Sequence, residues 1–600
     1  MDSSDSEPPI LPEREEALKE TDTEMSGSDS DSSESDSSSS SDEERSSLPS
    51  KGRGRARTRG PGSRYRSRGA RTRGPGRGVG RGHDRPGDAH GKKVPPSPWK
   101  KWEDAPFQLE LPEFDLYSGP TVEVPEKVSE IIFLFLTDEL IQHIVTQTNL
   151  YADQFLKQAH ITEKSRAHRW KEVTSKDILN FLGLTILMGI HSLPTIPDYW
   201  SKDPLYFNPT FHAVMSRNRY QLIAKFIHFN DNSKYDSKDP KRDRLYKVRP
   251  LLDYLVAKFQ ELYLPSRDIS IDEQLLLHKG NLYFKQYLPK KKAKFGIKFF
   301  TLCDQNGYVF NTEIYVGKNK QPDQIDDDVH KDLGMTGRIV VRLMQPLLNK
   351  GHRLYTDNWY TGVNLYKFLQ ENDTPACGTL RKDRGKFPAD FKTGKLEKGQ
   401  TRFLVDDKLL AMRYQDSKDV YFLSTMHRPK LVTVSKKDRN GDDVMKQELV
   451  NDYNQNMGFV DKCDSIINQQ GMVRKSHKWT TKCAFHLIDE AIYNAYVLHV
   501  TTSIEKPLSF VDFKVTFIKE IFSDNHVKDP SQSDTHSLEN VPVPETKKAK
   551  SHHKRCHQCH KNGIRKETKY QCDSCPLNPG FCVDPCFKAF HSAMPTIAKD

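Results

Sequence analysis

Long apolar runs are scarce in this chain. The longest, ILNFLGLTILMGI (Ile178–Ile190), is interrupted by Asn180 and two glycines. It falls short of the roughly 20 apolar residues that a bilayer-spanning helix needs, so no membrane crossing is expected. The amino terminus, MDSSDSEPP, has neither a basic stretch nor an apolar core, so no secretory signal is expected and the thiols should be reduced in an intracellular setting. Hydrophobic residues make up only 35% of the 600 positions, too few for a chain folded from end to end. Acidic charge is the minority sign, 81 Asp and Glu against 92 Lys and Arg, and the net charge of +11 favours a polyanionic partner, nucleic acid first. Cysteine is sparse until the end, where six of the ten fall in the last 45 residues.

What is present divides the chain into segments. Residues 1–111 are low-complexity. A serine–acid block, SGSDSDSSESDSSSSSDEER, gives way to an arginine–glycine tract in which ARTRGPG occurs at Ala56 and again at Ala70. Neither half can bury enough apolar surface to fold alone, so a disordered tail is expected. It reads either as a phosphorylatable, nucleic-acid-holding arm or as a solvated tail. From Pro112 to residue 266 apolar residues recur at helical spacing, with Thr174 or Ser175 as cap candidates and Pro250 at a helix start. After Pro265 come short segments rich in β-branched and aromatic residues: DISIDEQLLLH, FGIKFFTLCD and YVFNTEIYVG. A helix-like stretch then precedes HRLYTDNWYTG, and the pattern predicts a mixed α/β sheet. Residues 376–444 are β-rich and lysine-rich. Helical patterning returns from Val450 to about Phe522, followed by a polar linker and the cysteine cluster.

Within the predicted sheet the acids are oddly placed. Asp272–Glu273 follows the apolar alternation of Ile269 and Ile271, and Asp357 closes a second apolar strand. Buried, unpaired carboxylates are costly, so a salt bridge, a turn or a metal ion must account for them. Asp461 and Asp464 share one face at the start of a predicted helix. Two strand-borne acids and a helix-borne acid suit a two-metal site, in which hard Mg²⁺ ions take carboxylate oxygens and clamp an in-line phosphoryl displacement. The bland alternative is that each aspartate caps a turn or a helix.

The strings SIDEQLLLHKG, YLPKKKAKFGIKFFTLCDQNGYVFNTEIYVG, LYTDNWYTG and DYNQNMGFVDKCDS resemble the piggyBac transposases and their domesticated relatives. The resemblance extends upstream through FLGLTILMGIHSLPTIPDYWS and covers nearly everything from Pro112 onward. It implies an RNase H-like catalytic core (267–375 and 445–468) with a β-rich insertion at 376–444. A helical dimerisation and DNA-binding domain, split between 112–266 and 469–530, would flank it. The implied acid triad is Asp272, Asp357 and Asp461, with Asp464 as an accessory acid, holding two Mg²⁺ or Mn²⁺. The implied activity is excision of double-stranded transposon DNA from its terminal inverted repeats through hairpinned ends, and integration at TTAA, by a homodimer in the nucleus. Two departures bear on DNA grip: Ser465 stands where relatives have Gln, and Asn281 where they have Arg, leaving Lys279 as the basic residue.

Groups suited to DNA are Arg381, Lys382 and Arg384 in a loop after a short strand, matching a family loop that approaches the transposon end. The run Lys290–Lys294 is a second candidate, or else a charged hairpin rim. Trp479 could stack on an unpaired base or belong to the core with Phe485 and Ile488.

In the cysteine cluster, Cys556/Cys559 and Cys572/Cys575 form Cys-x-x-Cys knuckles, followed by Cys582, Cys586 and His591. In a reduced compartment this favours structural zinc over disulfides. Two tetrahedral zincs need eight ligands and these make seven, with His552, His553, His557 and His560 open as the eighth. The order suggests a RING- or PHD-like cross-brace at 552–592, as in the family's cysteine-rich domain, which binds transposon ends; a protein- or histone-reading finger is the competitor. The linker 531–551 leads into PETKKAKSHHKR (Pro544–Arg555), a candidate nuclear localisation signal. The rival to an active transposase is a domesticated, catalytically silent DNA-binding or chromatin-associated protein.

Overall fold

The computed structural model describes residues 97–592 apart from 159–160, 237, 240–241, 290, 292, 318–329, 438–440, 442, 473–475, 477, 524–537, 543–551, 573–574 and 576–577. The serine–acid and arginine–glycine tracts therefore lie outside the described residues, as does most of the basic run Pro544–Arg555.

A ten-stranded mixed sheet organises the chain. In chain order its strands are β1 (Lys100–Lys101), β2 (Asp268–Leu277), β3 (Gln286–Tyr287), β4 (Phe295–Asp304), β5 (Val309–Ile314), β6 (Arg353–Thr356), β7 (Ala376–Leu380), β8 (Thr401–Asp406), β9 (Leu409–Gln415) and β10 (Asp419–Ser424). Their order across the sheet is β1-β8-β9-β10-β7-β6-β2-β4, with β3 and β5 both paired to the far side of β4. Consecutive β2, β4 and β5 are antiparallel, whereas β6 and β7 join β2 in parallel. The segment 376–444, read from sequence as an insertion, supplies β7 to β10 to this same sheet. It adds a two-stranded ribbon of β11 (Leu431–Lys437) and β12 (Asp443–Gln447).

Helices surround the sheet. Those longer than one turn or two include α1 (Asp138–Gln158), α2 (Ser175–Ile190), α3 (Arg217–Phe226), α4 (Arg249–Leu262), α5 (Gly334–Met344) and α6 (Val363–Glu371) before β7. After β12 come α7 (Glu448–Asn456), α8 (Phe459–Gln470), α9 (Trp479–Thr502) and α10 (Phe510–Phe522). Local chemistry sets their starts. Thr174 and Asp177 form a reciprocal capping box on α2, and Pro250 occupies the first turn of α4. α9 is buried along most of its length, Lys482, Asp489 and Glu490 included, so it acts as the central post of the helical layer. One continuous apolar cluster runs from Val128 on the N-terminal helices through the sheet to Phe522 on α10. Among the described residues no helix is long and apolar enough to cross a membrane.

Candidate active site and cysteine centre

β2 and β6 run parallel, and their ladder ends with Ile271 opposite Thr356. β6 stops there, while β2 continues against β4 to Leu277. The sequence reading places Asp272 at a strand end. The structure corrects this: Asp272 lies mid-strand, and what ends beside it is its neighbour. The end of β6 opens the sheet locally, so a carboxylate in the middle of an apolar strand faces polar groups rather than core.

Asp357 follows β6 directly. Its carboxylate accepts from the Trp359 N–H (2.8 Å), and its carbonyl accepts from Thr361 Oγ1 (2.8 Å). Thr356 Oγ1 lies 2.8 Å from Thr361 Oγ1 and 2.9 Å from the Tyr366 hydroxyl. This knot presses on β7. A Cβ at Gly378 would overlap the Thr356 carbonyl, Thr361 and Tyr366, so only glycine lets the Asp357 loop fold back there.

Carboxylate oxygens of Asp272, Glu273 and Asp357 all lie within 4.8 Å of one another. Burial, then the negative charges of Glu273 and Asp357, push the Asp272 carboxyl up to about 8. Burial likewise raises Asp357, against the hydrogen bonds it accepts. Glu273 is partly compensated by Lys298, whose ammonium lies 3.7 Å from it, 4.1 Å from the Trp359 ring centroid and 4.8 Å from that of Phe300. Crowded hard oxygens that resist ionising together fit a divalent cation such as Mg²⁺ or Mn²⁺.

Asp461 and Asp464 sit one turn apart in α8, which packs over β2. Asp464 accepts from Asn468 Nδ2 (2.7 Å), and burial pushes its carboxyl up to about 6. Asp461 is 66% exposed and lies outside the carboxylate group of Asp272, Glu273 and Asp357. Lys291 stands at the junction: its Nζ donates to the Glu273 carbonyl (3.1 Å) and lies 3.5 Å from Asp461 Oδ1. Burial works against the Lys291 charge, but Asp272, Asp461, Glu273 and Asp464 outweigh it and hold the ammonium above the ordinary lysine value.

The cysteine-rich segment sorts its ligands into two sets. Cys556, Cys559, Cys582 and Cys586 converge as four buried sulfurs, and Cys572, Cys575 and His591 as a second group. Sulfur–sulfur distances of 3.4 Å (Cys559–Cys586) and 4.0 Å (Cys559–Cys582) bracket the edge of about 3.8 Å that a tetrahedral thiolate site with Zn–S near 2.3 Å requires. In the second set His591 Nδ1 lies 2.7 Å from the Phe587 carbonyl, which leaves Nε2, 3.1 Å from Cys575 Sγ, to act as ligand. First and third pairs share one set and the second pair joins His591, the interleaving of a cross-brace. The eighth ligand belongs to the second set, because the first already holds four cysteines.

A family model described as Transposase IS4 matches residues 129–496, and a DDE_Tnp_1-like zinc finger model matches residues 531–592. The chain belongs to the piggyBac transposase family. It is similar to human PiggyBac transposable element-derived protein 3, 27% identical over 466 residues, spanning 75% of this chain and 74% of that protein. Human PiggyBac transposable element-derived protein 5 is 23% identical over 413 residues, 66% and 76% of the two chains. The fold is similar to a piggyBac transposase solved as a synaptic complex with hairpin DNA. There the TM-score is 0.59 at 24% identity, over 68% of this chain and 83% of the other.

Other residues singled out in this piggyBac-family chain have the following places. Arg381 is exposed and donates from Nε to Asn358 Oδ1 (3.2 Å), while Lys382 and Lys279 are exposed. Arg384 instead is half-buried and donates to the carbonyls of Asn358, Trp359 and Thr361, so it braces the Asp357 loop from within. Trp479 is half-buried, packed edge-on against Phe284 at 5.4 Å. The sequence reading missed Glu273 as a member of the acid group, although the acidic pair was visible. It also missed Lys291 and Lys298 as the cations of the site. Lys291 lay in a basic run, but its partner Asp461 is far away in sequence.

Proposed function

We propose that this chain is a divalent-metal-dependent DNA transposase of the cut-and-paste type. It would excise its element through hairpinned ends, rejoin it at TTAA, and act as a nuclear homodimer. The observation that carries this is the convergence of Asp272, Glu273 and Asp357 at the sheet opening, with Asp461 and Asp464 on the helix above. The strand order β5-β4-β2-β6-β7, three antiparallel strands followed by two parallel ones, supports an RNase H-like reading of the core.

Asp272, Asp357 and Asp461 would hold two Mg²⁺ or Mn²⁺ ions. When bound, these supply charge neutralisation for an attacking and a leaving oxygen in phosphoryl transfer. The chain's own work is positional. The Thr356–Thr361–Tyr366 knot and Arg384 fix Asp357, and Asn468 orients Asp464. The exposed Arg381, Lys382 and Lys279 would meet phosphates, which positions the strand without reading sequence. Trp479, half-buried against Phe284, would stack on an unpaired base. In the finger, zinc would be held by the four-cysteine set and by Cys572, Cys575 and His591, and the folded finger would grip transposon-end DNA.

The human relatives are named as element-derived proteins, which favours a second reading: a DNA-binding protein no longer moving an element. An excision reporter carrying the cognate element separates the two. Wild type should restore TTAA seamlessly, and Asp272→Ala, Asp357→Ala and Asp461→Ala should each abolish this. No excision by a soluble wild-type chain would leave the binding reading.

A further inference from the structure

Lys291 occupies an unusual place for a residue in a basic loop. It lies between β3 and β4, where the Lys291 N–H closes a turn onto the Leu288 carbonyl and Leu288 N–H bonds the Lys294 carbonyl. That turn aims the side chain back across the sheet opening. Its ammonium donates to the Glu273 carbonyl (3.1 Å) and pairs with Asp461 at 3.5 Å. Lys294, three positions after Lys291 and bonded through its carbonyl to the Leu288 N–H, is exposed instead. Asp461 is the one triad acid outside the mutually close carboxylate group. What stands next to it is a cation built into the chain.

We propose that Lys291 is a tethered counter-ion of the acid cluster, which a divalent cation must displace from Asp461 before Asp461 can join Asp272 and Asp357. The inference rests on the acid cluster being the metal site argued above, and adds a competitor for it. Two cations cannot share one carboxylate edge at close range without repulsion. An ammonium with three donors on a flexible four-carbon stem can swing outward toward the phosphates of a bound strand. The chain would thus resist loading metal until DNA offers Lys291 another partner, which limits cutting by the free protein. Lys298 does not do this job, because it is buried between Trp359 and Phe300 against Glu273 and cannot leave.

The test uses the zinc-loaded full chain without DNA, titrated with Mn²⁺ and read by electron paramagnetic resonance of the free ion. Lys291→Met should bind Mn²⁺ about tenfold more tightly than wild type, the effect of removing one opposing charge at close range. Lys291→Gln should do the same, which guards against a packing effect of the methionine. Lys294→Met removes an equal charge from the same loop and should stay within about twofold of wild type. Equal or weaker Mn²⁺ binding by both Lys291 variants overturns the proposal and leaves the metal site standing, as does an equal gain from Lys294→Met. If wild type binds no Mn²⁺ above the level of Asp272→Ala, the metal-site reading itself fails and this inference falls with it.

Discussion

The cysteine cluster and the carboxylate cluster both gather ligands that repel one another once ionised, yet their supports differ. In the finger all the ligands come from one short stretch, the sulfurs are buried, and the cysteines themselves form most of the local core. In the acid site the three converging carboxylates come from β2 and the end of β6, with Asp461 and Asp464 on α8 beside them, on an apolar cluster that extends over the whole sheet and helical layer. The finger's best-formed set is closed, with four cysteines and no position left over. The acid set is open on the side of the exposed Asp461 and is compensated by two lysines. A closed set stabilises a fold, whereas an open one leaves room for a substrate oxygen.

The largest expected effect follows from that contrast. Chelating zinc should unfold residues 552–592 outright, removing amide protection there, while the sheet keeps its slow hydrogen exchange. Loss of protection in β2 and β4 on chelation would break the comparison, since it would make the finger a support of the core. Next, Asp357→Ala should lower DNA strand cleavage by about 10³-fold or more at nearly unchanged melting temperature, because the site is carried by the core rather than the reverse. A large drop in melting temperature would show that the acid is structural.

Third in size, Arg384→Ala should cost roughly 10- to 100-fold in cleavage by loosening the Asp357 loop, with little change in DNA affinity. Arg381→Ala and Lys382→Ala should do the opposite, weakening DNA binding and each reducing the salt slope by about one. The same pattern from all three substitutions would remove the distinction between a brace and two phosphate contacts. The smallest effect concerns pH. The Asp272 carboxyl is raised from 3.8 to about 8 in the fold, so the folded state keeps a proton that the unfolded chain loses. Stability from this group is therefore complete below about pH 4 and is lost as pH rises through about 8. Thermal melting of the protein without divalent metal should show this fall, and Asp272→Asn should flatten it. An unchanged slope in Asp272→Asn would assign the pH dependence elsewhere.

Much of this was legible in the sequence where the signal is local. The capping box of α2, the strand alternation of β2 and the knuckles of the finger all lie within a few residues. Asp272 and Asp357 were visible as carboxylates beside apolar strands, and Asp461 and Asp464 as a pair on one helix face. What escaped depends on registers and distances that span the chain. Asp272 sits beside an opening because β6 ends at Thr356, 84 residues on by number (356 minus 272), and no local pattern around Asp272 reports that. The family resemblance implies β7 to β10 as an insertion, and only the register of Thr356 with Gly378 shows that they extend the same sheet. Arg384 reads from sequence as a phosphate contact, and only the fold adds that its Nη1 donates to carbonyls of the Asp357 loop. The sorting of seven zinc ligands into two sets likewise needed the fold.

The measurement that tests the central claim most directly is strand cleavage by the purified, zinc-loaded chain on DNA carrying the element's terminal inverted repeats, compared in Mg²⁺ and in Ca²⁺. The account predicts hairpinned ends with Mg²⁺, little product with Ca²⁺, and none from Asp272→Ala or Asp357→Ala. Cleavage that survives either substitution, or binding to the ends with no cleavage in Mg²⁺ or Mn²⁺, would contradict it.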